Sequence, residues 1–242
     1  MTMSLDRPEP PDRPDRPDDA DDPDDPGGAD RSSYDAVVFD FGGVYTPSPF
    51  EAMRVLGESL GIHQDQAMLY VFGSYERDTD HPWHQAERGE IELSVARDEI
   101  QALARADGHV FDLYDVFATL GGTTVRPDMV ERTRQLRLAG YATALITNNV
   151  AEFRDFWRPM LPLDELFDVV VDSSEVGMRK PDPRIFQLAL DQLGGIEPTR
   201  AVFLDDYPGN VLAAEAMGFR GVVVEAAYAE ALTRLDAILA GA

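Results

Sequence analysis

The chain reads as an α/β protein: a doubly wound, Rossmann-like parallel sheet core with an inserted small α-helical cap. Three observations predict this. From Tyr34 onward, short runs rich in Val and Ile alternate with segments of helical periodicity, the pattern of strands buried on both faces by crossover helices. Gly140, Gly194 and Gly218 stand where the helical segments should stop. About a hundred residues separate the first strand from the second, far more than a βα connection needs, so something is inserted there.

Taken in order, residues 1–32 are Pro- and Asp-rich with almost nothing apolar to bury, and are expected to form a disordered, solvated acidic tail. The core is expected over 33–47 and 122–242, and the helical cap over 48–121. Strands are predicted at Ala36–Asp40, Ala142–Thr147, Phe167–Asp172, Ala201–Asp205 and Gly221–Val224. Core helices are predicted at Pro127–Leu138, Glu152–Met160, Pro183–Leu193, Gly209–Met217 and Ala227–Leu239, the spacing of successive right-handed βα units. The insertion carries helical patterns at Phe50–Leu60, Gln64–Phe72, Ile91–Ala106 and Phe111–Leu120 and no convincing strand. Its hinges are expected near Thr46–Ser48 and Gly121–Arg126.

Composition narrows the function. With 242 residues there is room for one well-packed domain and a smaller module. No stretch approaches the roughly 18 apolar residues of a membrane span, and the first residues carry Asp, Arg and Pro where a secretory signal needs an apolar run. Cysteine is absent, which excludes disulfides, thiolate metal sites and Cys nucleophiles and suits a reducing cytoplasm, the expected location. The net charge of −24, of which −16 lies after Asp30, disfavours nucleic acid and anionic membranes as partners. Such a chain needs a metal or a placed cation to handle an anionic substrate. Of its 21 basic residues only Lys180 is Lys, which invites a site-specific role for that residue. The sequence says nothing of the oligomeric state.

In a doubly wound sheet the site lies beyond the carboxyl ends of the strands. Strand one ends in Asp40 (VVFDFGGV), strand two in Thr147 (ALITNN) and strand four in Asp205 and Asp206 (VFLDDYPGN), while Lys180 sits in the loop after strand three (EVGMRKPDP). Singly, each has an ordinary reading as a cap or turn residue. Together they make a phosphate site: Asp40 as nucleophile, a divalent cation held by Asp40 and the Asp205–Asp206 pair, and Thr147 and Lys180 on the remaining oxygens. Hard oxygen ligands favour magnesium, Mg2+.

The order Asp, Thr, Lys and paired Asp in these four segments resembles the four sequence motifs of the haloacid dehalogenase-like (HAD) hydrolase superfamily, over essentially all of residues 34–226. More narrowly, FDFGGVYTPSPF, the Pro82–Trp83 pair and ERGEI at Glu87–Ile91 resemble the phosphatase domain of soluble epoxide hydrolases, a subgroup with a small helical cap between the first two motifs. The resemblance implies a magnesium-dependent phosphatase acting on a small phosphorylated metabolite through an aspartyl-phosphate. It implies that Asp40, Thr147 and Lys180 are catalytic, that Gly43, Asn148, Thr147 and Lys180 bind the phosphate, and that Asp206 and Asp205 serve the metal with Asp40 and the Gly42 carbonyl.

One departure matters. Most phosphatases of the superfamily carry a second Asp two residues after the nucleophile as general acid and base, and this chain has Gly42 there. General acid–base help is worth roughly a hundred- to ten-thousand-fold, so turnover of esters with poor leaving groups is expected to be slow unless His84, Glu87 or Asp80 substitutes. Trp83, Tyr70 and Phe72 are candidates for an apolar substrate pocket or for cap core. Two other readings stay open: a metal-independent 2-haloacid dehalogenase using the same Asp, and a non-catalytic phosphate-binding or regulatory HAD domain. No P-loop or GxGxxG turn is present, and the four His residues (His63, His81, His84, His109) fall within or near the insertion, away from the strand ends.

Overall fold

The computed structural model describes residues 33–118 and 124–241. The expected tail over 1–32, the last two residues of the helix expected at Phe111–Leu120, and residues 121–123 of the second hinge lie outside the described residues.

Five strands form one sheet: β1 (Ala36–Phe39), β2 (Ala142–Thr147), β3 (Val169–Asp172), β4 (Ala201–Asp205) and β5 (Arg220–Val223). All pairings are parallel, in the order β3-β2-β1-β4-β5. The β-branched runs explain the strands, because a central parallel strand is apolar on both faces. Val37 and Phe39 pack into one core with Leu145, Val202 and Leu204, while Ala36 and Val38 pack into the other with Ala144, Ile146 and Phe203. This alternation is the period of two along a strand.

Helices cover both faces. α6 (Pro127–Leu138), α7 (Arg154–Trp157), α8 (Leu163–Leu166) and α12 (Tyr228–Leu239) put Met129, Leu136, Trp157, Leu166 and Leu235 on the Phe39 side. The short α9 (Ser173–Val176) follows β3, and α10 (Pro183–Gln192) and α11 (Pro208–Met217) put Ile185, Phe186, Leu190 and Ala214 on the other. Phe203 packs against the rings of Phe186 and Phe219 at centroid distances of 5.1 and 6.4 Å, and truncating such a buried ring costs about 3–5 kcal/mol.

Between β1 and α6 lie only helices among the described residues: α1 (Glu51–Leu60), α2 (Gln64–Val71), α3 (Pro82–Glu87), α4 (Leu93–Ala106) and α5 (Leu113–Ala118). They bury an apolar cluster of their own, centred on Met53, Phe72, Trp83, Ile100 and Leu113, which Val150 from the loop after β2 joins. α3 is not apparent from periodicity. It has a proline at its start, where the missing N–H costs nothing, and the His81 ring caps it by accepting from Trp83 N. The helix expected at Glu152–Met160 is broken into α7 flanked by 3-10 turns at Ala151–Phe153 and Arg158–Met160, because Pro159 removes a donor and crowds the preceding turn.

Register then positions the site. Phe39 lies between Leu145 of β2 and Leu204 of β4, and Asp40 N donates to Leu204 O at 2.8 Å. Asp40 therefore emerges beside the end of β4. The chain winds away from β1 in both directions, toward β2 and β3 and toward β4 and β5, so β1/β4 is the switch point at which such sheets open a crevice.

Candidate active site

The loop after β1 is clamped from below. Arg126 Nη1 donates to the carbonyls of Gly43 (2.6 Å) and Val44 (3.2 Å), and the buried Tyr45 hydroxyl bonds Thr133 Oγ1 at 2.6 Å, which itself donates to Met129 O. Asp40 and the two glycines that follow it are thus held to the core by α6 and the segment before it.

Lys180 is 0% exposed, and its Nζ donates to Asp40 Oδ1 at 2.8 Å and to Asp205 Oδ2 at 2.7 Å. Nζ also sits 5.6 Å from the centre of the Phe203 ring. Burial works against the ammonium, but Asp205 and Asp40 together outweigh it and hold its pKa above the ordinary lysine value. The backbone on either side is fixed by one side chain: Asn148 Oδ1 accepts from Lys180 N at 2.8 Å, and Asn148 Nδ2 donates to Lys180 O at 2.9 Å. Asn148, expected at the phosphate, spends both ends of its amide on orienting Lys180, although it also lines the pocket beside Asp40.

The paired aspartates differ. Asp205 is engaged on both oxygens: Oδ1 accepts from Tyr207 N, Oδ2 from Lys180, and Asn210 Nδ2 lies within 3.2 Å of both. Asp206, by contrast, has a buried Oδ2 with no hydrogen-bond partner. Carboxylate oxygens of Asp40, Asp205 and Asp206 all lie within 4.8 Å of one another. Three carboxylates, those of Asp40 and Asp205 buried and that of Asp206 partly so, against one ammonium leave an uncompensated negative charge. Burial first, then relief by Lys180 and repulsion from Asp205, sets the Asp40 carboxyl at about 7. Burial, followed by Asp205 and Asp40, pushes Asp206 well above the carboxylate range. An orphaned carboxylate oxygen within a surplus of hard oxygen donors fits a divalent cation such as magnesium.

Gly43 is required by geometry. Its φ is +73°, and a Cβ there would lie 2.0 Å from Asp206 Oδ2, so only glycine lets the loop pass this close to the carboxylate. Gly42 differs: a Cβ would meet nothing nearer than Pro49 Cδ at 3.5 Å.

A pocket opens on this cluster, lined by Asp40, Gly42, Pro49, Phe50, Tyr75, Asn148, Lys180, Asp206, Tyr207 and Asn210. Thr147, buried at the end of β2, is not among its walls. Phe50, Tyr75 and Tyr207 pack on one another at ring-centroid distances of 5.1–5.7 Å. Trp83, Tyr70 and Phe72, the sequence candidates for an apolar pocket or for cap core, are not among these walls. Trp83 and Phe72 belong to the apolar cluster of the inserted helices, and the Tyr70 hydroxyl donates to Asp107. The aromatic signal was there, since Phe50 and Tyr207 closely follow the first and last motifs, but spacing alone does not tell wall from core.

None of the three side chains considered as substitutes for the missing acid lines the pocket. His84 is buried with Nδ1 accepting from Thr79 N at 3.0 Å, and burial, then Arg179, drives its pKa down to about 3. Glu87 is buried against Arg179, and Asp80 is exposed.

Comparison with known proteins agrees with this architecture. The chain is 34% identical over 213 residues to acyl-CoA dehydrogenase family member 10 of Mus musculus (86% of this chain, 19% of that protein) and 27% identical over 215 residues to bifunctional epoxide hydrolase 2 of Rattus norvegicus (83% and 38%). It is 30% identical over 196 residues to the sesquiterpene phosphatase astK of Aspergillus oryzae (79% and 90%). The chain thus spans less than two fifths of the length of the first two relatives. The family described as haloacid dehalogenase-like hydrolase matches residues 34–218, and with the strand-end cluster built around Asp40 the chain belongs to that family of hydrolases.

Proposed function

We propose that the chain is a magnesium-dependent phosphatase acting on a small phosphate monoester through an aspartyl-phosphate on Asp40. The observation that carries this reading is the single ammonium of Lys180 bridging Asp40 and Asp205 at 2.8 and 2.7 Å while Asp206 keeps an unpartnered oxygen beside them. Lys180 Nζ holds Oδ1 of Asp40 at 2.8 Å and so orients the carboxylate for attack. When bound, magnesium would neutralise charge on the phosphoryl oxygens, held by Asp40, Asp206, the Gly42 carbonyl and the nearby Asp205.

In the first step Asp40 forms a bond to phosphorus and the ester P–O bond breaks, with the electron pair leaving on the ester oxygen. In the second, water attacks phosphorus and gives up its proton to solvent, and Asp40 departs as carboxylate, releasing inorganic phosphate. Gly42 supplies no proton to the leaving group, so esters that leave as stable anions, such as aryl phosphates, are the preferred substrates. The phosphatase activity named for the Aspergillus relative supports the phosphoester chemistry, and the aromatic walls suit an apolar leaving group. We assign 48–121 as a cap over a core of 33–47 and 122–242, supported by the separate apolar cluster of the inserted helices. No described helix is long and apolar enough to cross a membrane, and on the absence of cysteine we place the activity in the cytoplasm.

The test is phosphate release from p-nitrophenyl phosphate by wild type and Asp40→Asn, with magnesium and with EDTA. Magnesium-dependent release abolished by the substitution is expected. Folded wild type that releases no phosphate but dechlorinates chloroacetate in EDTA would make the chain a haloacid dehalogenase. Inactivity toward both compounds would leave a binding domain.

A further inference from the structure

The segment Glu87-Arg88-Gly89-Glu90-Ile91 takes no part in the chemistry at Asp40, yet it meets the core at Glu87 and Gly89. Glu87, 1% exposed at the end of α3, accepts from Arg179 Nε at 2.6 Å across 92 positions of sequence. Arg179 is 0% exposed and immediately precedes Lys180. Gly89 has φ +69°, and a Cβ there would lie 2.5 Å from the Ser174 carbonyl oxygen, so the backbone after α3 lies against α9. At the start of α4, Leu93 N donates to Glu152 Oε1 at 2.6 Å.

The pair also reaches the pocket. The Tyr75 hydroxyl donates to Glu87 Oε1 at 3.2 Å, and the Arg179 guanidinium lies 5.1 Å from the centre of the Tyr75 ring. Tyr75 in turn packs on Phe50 and Tyr207 and lines the Asp40 pocket. A buried ion pair is a poor source of net stability, because desolvation offsets most of its attraction. Here the cost is higher, since neither terminal nitrogen of Arg179 makes a hydrogen bond, Nη1 having only Asp78 Oδ1 at 3.7 Å. Apolar side chains could fill the same volume, but they would not lock the two parts in one relative orientation. What the charged pair adds is direction: a planar guanidinium and a carboxylate accept few relative geometries.

We propose that Glu87 and Arg179 are a positioning pair that docks the edge of the inserted helices on the core and thereby fixes Tyr75 as a wall of the Asp40 pocket. Its kinetic consequence rests on the phosphatase reading of that pocket.

The test uses the full chain carrying Glu87→Leu/Arg179→Met, which leaves neither charge buried alone, together with Tyr75→Leu and the combination of all three. Amide hydrogen exchange across 87–93 reads the docking without reference to turnover, and is expected to quicken by about tenfold or more in the pair variant. For p-nitrophenyl phosphate, kcat/KM is expected to fall about 30-fold, within the range a misplaced positioning group costs. Inhibition by inorganic phosphate, which probes only the Asp40–Lys180 end, should stay within about threefold. Tyr75→Leu should lose as much as the pair variant, and the combination no more than either. Unchanged exchange across 87–93, additive losses, or an equal weakening of phosphate inhibition would each overturn the proposal. If the pair variant does not fold, Glu87→Gln, which keeps the acceptor's shape without its charge, is read by the same criteria. Wild type that hydrolyses no phosphate ester sinks the reading of the pocket, and the exchange measurement then judges the docking alone.

Discussion

Lys180 Nζ stands 2.7 Å from Asp205 Oδ2 with both residues fully buried, so the only lysine of the chain balances the charge of the strand ends as well as holding Asp40. Removing it strands two carboxylates in the interior. Lys180→Met should therefore cost about 3–5 kcal/mol, the range for breaking a buried pair from one side. Urea unfolding of wild type and variant without magnesium checks this, and a loss below about 1 kcal/mol, the scale of an exposed pair, would mean that Lys180 is not the counter-charge described.

Gly43 and Asp206 are equally interdependent. Because a Cβ on Gly43 would fall 2.0 Å from Asp206 Oδ2, Gly43→Ala should displace that carboxylate. Magnesium should then no longer raise the melting temperature, although the protein still folds. A variant that keeps the wild-type magnesium response would show that Asp206 is not a ligand.

Gly42 offers the opposite experiment. With its nearest neighbour at an ordinary contact distance of 3.5 Å, Gly42→Asp should fit and place an acid beside Asp40. Hydrolysis of alkyl phosphates should rise by about 10²–10⁴-fold, the usual worth of general acid–base help, with aryl phosphates changing much less. Equal rates on alkyl and aryl esters in wild type would mean that the missing acid is supplied elsewhere.

Burial holds His84 down to about 3 and His81 to about 4, both below the unfolded value of about 6.5. Below that value the unfolded chain takes up protons that the folded chain does not, so the stability contributed by these groups is present above about 6.5 and declines as pH falls toward 3. His84→Asn, whose side-chain oxygen can replace Nδ1 as the acceptor for Thr79 N, should flatten the loss of stability between pH 6 and 4 by roughly 1 kcal/mol per pH unit. Denaturant melts across that range check it, and an unchanged slope would show that His84 protonates freely in the folded protein.

The sheet was legible because each strand is built on a short apolar run, and the strand ends were legible as a site because a doubly wound sheet gathers them at one rim. Asp40, Lys180, Asp205 and Asp206 could thus be grouped before any distance was known. Asn148 shows where such grouping stops. A polar residue after Thr147 is equally suited to phosphate or backbone, and only the three-dimensional course of the 179–181 loop gives both ends of its amide to Lys180. The Glu87–Arg179 pair and the Phe50–Tyr75–Tyr207 walls join segments far apart in sequence, which periodicity within one element cannot reveal. α3 escaped because six residues are too few to show a helical period.

The measurement that bears most directly on the account is the intact mass of the protein quenched in acid during turnover of p-nitrophenyl phosphate with magnesium. The account predicts a fraction carrying one added phosphoryl group, mapped to Asp40 and absent from Asp40→Asn. Steady phosphate release with no such adduct, and with turnover preserved in Asp40→Asn, would contradict it.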